Sequence, residues 1–350
     1  VLADAERSGN THHAHAHTGT PVEIVWTPPE AAGTTLAGMT GPKEHLAHLS
    51  NDAYPTEHEL YHASGFPLIP APARTLPIDV GSRVVVRQDL KGDLHLHSKA
   101  SPDGRLSLTE LFAAAIAEGH QYVLITDHTR GLRFGGLDEA EIRIQAGTID
   151  RLRGRFPELA IFHGAELNID ADGSLDLEDE TLEILDFAVA GVHSYFGLSR
   201  DEQTNRLEQA ISHPAVRVLA HPFGRRIGVR PAIDVDMNRI IEAAVRHGVA
   251  LETNGHRDRL DLSSAWIEKA AERGAVFAAN SDAHRLSEIG NVANALGTLQ
   301  RAGVAAEQVV NTWDTAKLQG WAIDDGDTVP ITAGSSQQRR GRDLNPRRGL

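Results

Sequence analysis

The sequence predicts an α/β fold in which parallel strands form a barrel, preceded by a small N-terminal appendage. From residue 91 to about residue 322, short apolar runs alternate with helical patterns, which is typical of βαβ units. Seven such runs in one stretch favour a seven-stranded TIM-like (βα)7 barrel over an open, doubly wound sheet. No glycine-rich dinucleotide fingerprint or phosphate-binding loop follows the first run, which weakens the open-sheet alternative further.

Predicted strands and helices cover most of residues 91–322. The strands are predicted at Gly92–Leu96, Tyr122–Thr126, Ala160–His163, Phe187–Val192, Val216–Ala220, Ala250–Thr253 and Val276–Ala279. The first helix is well defined, because Ser107 and Glu110 form a capping box and Gly119 follows the apolar pattern. Further helices are predicted at Leu137–Arg155, Arg200–Ser212, Met237–Gly248, Ser263–Arg273 and Leu286–Ala302.

Changes in composition divide the chain into four parts. Residues 1–40 are rich in small and polar residues and contain a histidine patch, so we expect a poorly ordered segment or a remnant of another domain. Residues 41–90 are predicted as short helical pieces followed by a proline-rich linker. Residues 91–322 form the barrel domain, and residues 323–350 have so little to bury that we expect a disordered tail.

Composition also excludes several classes of function. The chain has 350 residues and no cysteine, which excludes disulfides, zinc fingers and thiol nucleophiles and fits a reducing compartment, so we expect a cytoplasmic protein. The net charge of −14 argues against a broad basic surface that coats duplex DNA. No apolar run is long enough to span a membrane. We expect no membrane partner, and the sequence indicates no protein partner.

Residues of the types that bind metals lie at the end of every predicted strand. His95 and His97 share one face at the end of the first strand because side chains alternate with a period of two. In a barrel the carboxyl ends of all strands meet on one face, where active sites are built. We therefore expect six imidazoles and three carboxylates to converge: His95, His97, Asp103, His128, Glu166, His193, His221, Asp282 and His284.

This set of nitrogen and oxygen ligands suits zinc, manganese or iron better than calcium. Nine ligands exceed what one ion can use, and with a bridging carboxylate they match three divalent ions. A packed core would not collect so many ionisable groups without ions to neutralise and orient them. Glu252 and Asn254 are expected to orient ligand imidazoles, while Asp127 either does the same for His128 or caps the following turn.

The motifs Asp93–His97, Thr126–His128, Gly164–Glu166, Val192–Ser194, Ala220–Pro222 and Ser281–His284 together resemble those of the PHP (polymerase and histidinol phosphatase) superfamily. The resemblance implies a distorted seven-stranded barrel whose trinuclear site hydrolyses phosphoesters. It also implies three sets of ligands, with Glu166 shared by the first two. The sets are His95, His97, Glu166 and Asp282; then Glu166, His193 and His221; then Asp103, His128 and His284.

The upstream region resembles the end of the palm and the thumb of bacterial X-family DNA polymerases, which carry a PHP domain at the C-terminus. The resemblance rests on Pro21–Trp26, Pro28–Pro29, Thr40–His45 and the segment from Glu57–Tyr61 through Ile69–Pro70. Glu23 stands where the last palm aspartate is expected, and the earlier pair of palm carboxylates lies outside this chain. Nucleotidyl transfer needs those carboxylates to hold Mg²⁺, so we expect no polymerase activity from this chain.

A metal-activated hydroxide is expected to attack phosphorus, so that no protein nucleophile is required. Arginines in the loops after the strands are candidates for phosphate binding, or else ordinary solvated charges: Arg130, Arg133, Arg225, Arg226, Arg230 and Arg257. Three functions remain open. They are a DNA 3′-5′ exonuclease or 3′-end-processing enzyme, a small-molecule phosphomonoesterase such as a histidinol-phosphate phosphatase, and a metal-bound accessory domain without turnover.

Overall fold

An antiparallel sheet forms the N-terminal end of the protein. The structure is a computed structural model that describes residues 2–132 and 135–323. The sheet contains β1 (Leu2–Ser8), β2 (Thr11–Ala16) and β3 (Pro21–Val25) in that order. Gly9 and Gly19 make its two tight turns with φ of 61° and 81°, a conformation that favours glycine. Strands therefore occupy part of the segment in which the composition predicted poor order, because these glycines let short polar strands fold back on each other.

Short helices connect this sheet to the main part of the fold. They are α1 (Ala32–Thr40), α2 (Lys43–Leu46), α3 (Glu57–Ala63) and α4 (Ile78–Gly81). They enclose a small core that includes Leu60, Tyr61 and Ile69. The segment after α4 packs against the larger domain, where the backbone N–H of Val85 donates to the carbonyl of Val304 at 2.9 Å.

All strands after residue 91 are parallel to their neighbours and lie in two sheets. The strands are β4 (Gly92–Leu96), β5 (Tyr122–Ile125), β6 (Ala160–His163), β7 (Glu166–Asn168), β8 (Ala188–Gly191), β9 (Val216–Leu219), β10 (Ala250–Asn254) and β11 (Phe277–Asn280). The first sheet has the order β4-β5-β6, and the second has the order β11-β10-β9-β8-β7. The prediction of an α/β fold with parallel strands is confirmed.

The prediction of one closed seven-stranded barrel is not confirmed, because the described strands form two separate sheets. Isolated bridges connect the sheets at two places, between Leu96 and Ala283 and between His128 and Glu166. The third predicted run is divided in two, with Glu166 at the start of β7 rather than at the end of β6. The division lies at Gly164, where a Cβ atom would come within 2.6 Å of the Phe187 carbonyl oxygen.

Helices follow most of these strands. They are α5 (Leu108–Ala117), α6 (Glu139–Arg153), α7 (Asp179–Leu182), α8 (Arg200–Ile211), α9 (Met237–His247), α10 (Ser264–Glu272), α11 (Val292–Arg301) and α12 (Thr315–Ile323). Ser107 caps α5 as predicted, by accepting a hydrogen bond from the Glu110 N–H. The predicted helix at 286–302 begins instead with a 3-10 helix, Leu286–Asn291.

The strands have buried residues on both faces, as expected for parallel strands covered by helices. Apolar side chains such as Leu94, Leu124 and Val189 are completely buried between the layers. The polar side chains at the carboxyl ends are buried as well, which concentrates them in one region. In the described residues no helix is long and apolar enough to cross a membrane. The predicted tail lies outside the described residues, apart from Ile323 at the end of α12.

Candidate metal centre

The carboxylate of Glu166 lies at the centre of a ring of histidines. Its Oε1 atom lies 2.7 Å from His221 Nε2 and 3.0 Å from His193 Nε2. Its Oε2 atom faces three more imidazole nitrogens, those of His95 at 3.3 Å, His97 at 3.4 Å and His128 at 3.0 Å. These side chains come from the ends of β4, β5, β8 and β9. The two oxygens of one carboxylate are therefore each shared by different histidines, which is the arrangement of a bridging ligand.

Asp282 lies on the other side of the histidines that follow β4. Its Oδ1 atom is 3.3 Å from His97 Nε2 and 3.6 Å from His95 Nε2. Asp282 adopts a φ of 54°, a left-handed conformation that is strained for a residue with a side chain. The strain is stored next to the proposed ligands, as is common at functional sites.

Asp103 belongs to the third group of predicted ligands. Its Oδ2 atom is 3.3 Å from His284 Nε2 and 3.8 Å from His128 Nε2. The Asp103 side chain is 56% exposed, whereas His128 and His284 are 6% and 14% exposed. Asp103 therefore covers the outer side of the cluster. The structure brings all nine predicted residues into one continuous cluster.

Hydrogen bonds at the Nδ1 atoms of His95 and His97 leave the Nε2 atoms of both rings free to bind a metal. The Nδ1 of His95 lies 2.6 Å from the Glu252 carboxylate, so it carries the proton. The Nδ1 of His97 lies 3.2 Å from Ser101 Oγ, whose own proton goes to Asp127. In the neutral form of each ring, Nε2 then presents a lone pair, the state that metal binding requires.

The buried atoms at the centre lack partners that a metal would supply. The Nε2 atoms of His95 and His97 and the Oε2 atom of Glu166 are buried and form no hydrogen bond with any described residue. Buried polar atoms without partners are costly. Their separations of 3.3 and 3.4 Å also match the edge of a tetrahedron around zinc, about 3.3 Å for metal–ligand bonds of ~2.0 Å. The residues present therefore fit divalent metal ions.

The charges in the cluster shift the pKa values of its members. Burial opposes ionisation of Glu166, but the adjacent His193, His95 and His128 outweigh it and hold the pKa of Glu166 well below its usual range. Burial also disfavours the charged form of His97, and together with His284 and His128 it lowers the pKa of His97 well below the usual value. Glu166 is thus held ionised and His97 is held neutral, which are the forms in which these two residues bind a metal.

Glu252 and Asn254 support the cluster by hydrogen bonds. One Glu252 oxygen contacts His95 Nδ1, and the other accepts the backbone N–H of His221 at 2.7 Å. The Asn254 amide donates to Glu252 at 2.9 Å and to Asp282 Oδ2 at 3.0 Å. Both residues therefore contact predicted ligands from outside the cluster.

Asp127 reaches the cluster through hydroxyl groups, since Ser101, which donates to it, also accepts the backbone N–H of His128 at 2.9 Å. Its carboxylate accepts hydrogen bonds from Ser98 Oγ at 2.6 Å, Ser101 Oγ at 2.9 Å and Gln145 Nε2 at 2.6 Å. Ser101 in turn contacts His97. Asp127 therefore orients His97 through Ser101, a link that sequence position alone does not indicate because it depends on the turn after β4.

An open cavity of about 520 Å³ lies over the cluster. Three predicted arginines, Arg226, Arg230 and Arg257, line it together with Asp103, His128, His193, Asp282 and His284. Two predicted arginines do not: the Arg130 guanidinium pairs with Glu139 at 2.8 Å, and Arg225 donates to the Arg259 carbonyl at 2.8 Å. Arg133 lies outside the described residues.

Two cavity arginines were missed by the sequence reasoning. Arg259 and Arg285 both line the cavity, and Arg259 Nε donates to Asp282 Oδ2 at 3.0 Å. Arg259 belongs to the same loop as Arg257, so listing every arginine after the sixth predicted strand would have found it. Arg285 directly follows His284, and the same rule would have found it too.

Comparison with known proteins identifies a domain within the chain. The model of the PHP domain matches residues 93–256, which contain seven of the nine clustered residues. The chain therefore carries a PHP domain, and the resemblance inferred from the motifs is confirmed. The chain is also 32% identical over 320 residues to the DNA polymerase/3′-5′ exonuclease PolX of Bacillus subtilis. The alignment covers 83% of this chain, so it extends upstream of the PHP domain, but the chain spans only 56% of the length of that relative.

Other relatives are shorter than this polymerase. A probable phosphatase of Syntrophotalea carbinolica is 29% identical over 232 residues, which cover 63% of this chain and 90% of that protein. The crystal structure of histidinol phosphate phosphatase from Lactococcus lactis, complexed with zinc, L-histidinol and phosphate, is 19% identical with a TM-score of 0.47 and covers 61% of this chain and 94% of that one. The curated relatives thus include proteins that are little more than the domain shared with this chain.

Proposed function

We propose that this protein is a metal-dependent phosphoesterase that acts on DNA ends as a 3′-5′ exonuclease or 3′-end-processing enzyme. The observation that carries the proposal is the Glu166 carboxylate, whose two oxygens are shared by histidines from several strand ends at 2.7–3.4 Å. Such a bridging carboxylate is the feature that a multinuclear hydrolytic site needs. We propose three divalent ions, zinc, manganese or iron, held by the nine clustered residues.

The residues around the cavity supply the remaining parts of the reaction. Divalent ions at such a site lower the pKa of water and neutralise the charge that develops on a phosphoryl group. None of the described residues that line the cavity carries a hydroxyl or thiol group, which favours attack by water over attack by a protein nucleophile. The arginines line the same cavity, where guanidinium groups can bind the non-bridging phosphate oxygens.

Charge and homology both favour a polyanion as the substrate. Five arginines line the cavity, namely Arg226, Arg230, Arg257, Arg259 and Arg285. Arg226 pairs with Asp258 at 3.0 Å and Arg285 with Glu288 at 2.9 Å, and successive phosphates along a backbone could engage these guanidinium groups together with the other arginines. The alignment with the exonuclease relative extends upstream of the PHP domain, which supports the same substrate.

A small-molecule phosphomonoesterase is the second candidate. It is favoured by the match to the probable phosphatase, 90% of which is covered by this chain. The metal cluster would be the same in both cases, and only the size of the substrate would differ. A metal-bound accessory domain without turnover is less well supported, because all nine clustered residues are usable ligands.

One assay separates these functions. The purified protein is incubated with Mn²⁺ and single-stranded DNA, p-nitrophenyl phosphate or histidinol phosphate, and its metal content is measured alongside. We expect DNA to be degraded from the 3′ end and the activity to disappear in His97→Ala. Turnover of histidinol phosphate without cleavage of DNA would select the second candidate. Failure to turn over any of the three substrates, with metal bound, would contradict a hydrolytic role.

The upstream sheet is proposed to lack polymerase activity. Glu23 lies in β3 with an exposed side chain, and its backbone partner in β2 is His13. One exposed carboxylate on this strand cannot replace the set that nucleotidyl transfer needs. Incubation with a primed template, Mg²⁺ and nucleotides is expected to give no primer extension, and extension would contradict the proposal.

A further inference from the structure

Arg259 contacts a proposed metal ligand and the cavity at the same time. It lies in the loop between β10 and α10, and its side chain is 12% exposed. Its Nε donates to the Oδ2 atom of Asp282 at 3.0 Å. Among the five cavity arginines, Arg259 is distinguished by a hydrogen bond to a member of the metal cluster.

The hydrogen bond from Arg259 determines which oxygen of Asp282 is available. Oδ2 accepts from both Arg259 and the Asn254 amide, whereas Oδ1 faces the Nε2 atoms of His95 and His97. The protein thus holds Oδ2 of Asp282 by hydrogen bonds, and Oδ1 remains available to bind an ion. Partners that orient ligands in this way typically raise the affinity for the metal 10–100-fold.

The Nη1 atom of the same guanidinium has no partner in the part of the chain that the structure describes. The Nη1 atom of Arg259 is buried and forms no hydrogen bond with any described residue. A buried charged donor without a partner is costly, and an anion that reached Nη1 from the cavity would satisfy it. The cavity is lined by Arg259 together with Asp103, His193 and His284, so an anion there would lie beside the metal cluster.

The loop holds the Arg259 backbone in place. The Arg225 guanidinium donates to the carbonyl of Arg259 at 2.8 Å and also to the carbonyl of Leu260. The buried Asp261 carboxylate accepts the backbone N–H of Phe223 at 2.8 Å. Two neighbouring loops are thereby joined, and a side chain on such a support can be positioned accurately.

We propose that Arg259 links metal binding to substrate binding: Nε positions Asp282 as a ligand, and the free Nη1 binds a phosphoryl oxygen of the substrate. The second half rests on the proposed function, whereas the first half concerns the metal centre alone. Arg259 would thus act as a positioning residue for the metal and contact the substrate directly.

The test compares Arg259→Ala and Arg259→Lys with Arg257→Ala, a variant of another cavity arginine two residues away in the same loop. Zinc affinity is measured by competition with a chelator, and kcat and KM are measured on single-stranded DNA at saturating metal. Arg259→Ala is expected to weaken zinc binding on the order of 10–100-fold and to raise KM. Arg259→Lys should recover part of the lost zinc affinity, whereas Arg257→Ala should raise KM with unchanged zinc affinity.

Each outcome decides one half of the proposal. Unchanged zinc affinity in both Arg259 variants would overturn the positioning role, and an unchanged KM would overturn the contact with substrate. If Arg259→Ala does not fold, as judged by circular dichroism, the lysine variant provides the comparison. If the wild-type protein cleaves no DNA, calorimetric binding of inorganic phosphate to the zinc-loaded protein replaces KM. The proposed function would then fail while the role of Arg259 is still tested.

Discussion

Glu252 shows how one residue behind a metal centre affects the whole site. It is completely buried and contacts His95 through one oxygen and the backbone of His221 through the other. Burial alone would lower the pKa of His95, but Glu252, followed by Glu166 and Asp282, raises that pKa well above its usual value. Glu252 therefore fixes the protonation of His95 Nδ1 and the position of the ring.

Replacing Glu252 by Gln is expected to weaken metal binding on the order of 10–100-fold, because the amide keeps the shape but removes the charge behind His95. The measurement is a competitive zinc titration of the folded variant. The exposed Glu242 on α9 provides the control, since Glu242→Gln should leave the affinity unchanged. Equal affinities for wild type and Glu252→Gln would show that the carboxylate does not support the metal centre.

His120 is a buried histidine remote in sequence from the predicted ligands. Its side chain is 4% exposed, and neither ring nitrogen has a hydrogen-bond partner among the described residues. Burial, with a smaller contribution from Arg87, lowers the pKa of His120 to about 4. Above pH ~6.5, the usual value for an unfolded chain, both states are neutral and His120 adds no pH dependence. As the pH falls towards 4, only the unfolded state takes up the proton, so the free energy of unfolding decreases.

The variant His120→Leu is expected to lose less stability on acidification than the wild type. The difference should be roughly 2 kcal/mol between pH 7 and pH 5, because the unfolded leucine variant gains no proton at this position. Urea unfolding at the two pH values measures it. His58→Leu, a change at an exposed histidine, is the control and should behave as the wild type does. A parallel decrease in all three proteins would contradict the assignment.

At the scale of single elements, strand β8 ends at Gly191, which has no side chain and lies directly beside the metal cluster. A Cβ atom on Gly191 would lie 2.8 Å from His221 Cε1, 3.0 Å from Glu166 Oε1 and 3.0 Å from His193 Cε1. Contacts this short force the neighbours to move. A strand with glycine at this position is therefore needed for the three side chains to meet.

Gly191→Ala is expected to lower metal affinity and DNA cleavage at least about tenfold, because it displaces Glu166 and two imidazoles at once. Metal titration and initial rates measure the two effects. Gly197→Ala is the matched control, since a Cβ there meets nothing within 4 Å and its φ is not positive. Normal metal binding by Gly191→Ala would mean that the cluster can rearrange around the extra methyl group.

At the scale of the whole molecule, the cluster connects the two parallel sheets. His95 lies in a strand of the first sheet, and His97 and His128 follow strands of that sheet. The second sheet contributes the residues that belong to or follow its strands, namely Glu166, His193, His221 and Asp282. The isolated backbone bridges between the sheets, Leu96–Ala283 and His128–Glu166, lie at these same ends. Metal ions at this place would therefore stabilise the contact between sheets.

Removing metal is expected to lower the melting temperature by several degrees. The ions bind the folded state, whereas the unfolded chain has no assembled site to bind them. Free zinc at one hundred times its dissociation constant would contribute about 2.7 kcal/mol. Thermal melts with chelator and with added zinc measure the shift. Glu166→Gln should lose most of the response, and identical melts in chelator and zinc would contradict a metal centre that spans the sheets.

The sequence alone determined which kinds of residue lie at the end of each strand, and hence which ligand atoms are available to bind metals. His95 and His97 share a face because side chains alternate along a strand, and the capping box at Ser107 marks the start of α5 through local hydrogen bonds. Both features depend on neighbours within a few residues. They can therefore be read from a short segment without knowledge of the fold.

Only the tertiary structure decided how distant residues are used. Arg225 and Arg259 look alike in sequence, yet Arg225 fixes a loop while Arg259 reaches Asp282. The division of the third predicted strand at Gly164 depends on the close approach of the backbone to Phe187. The formation of two sheets in place of a closed barrel depends on pairing between strands that are far apart in the sequence. Contacts between distant segments depend on the packing of every element between them, and no local pattern contains that information.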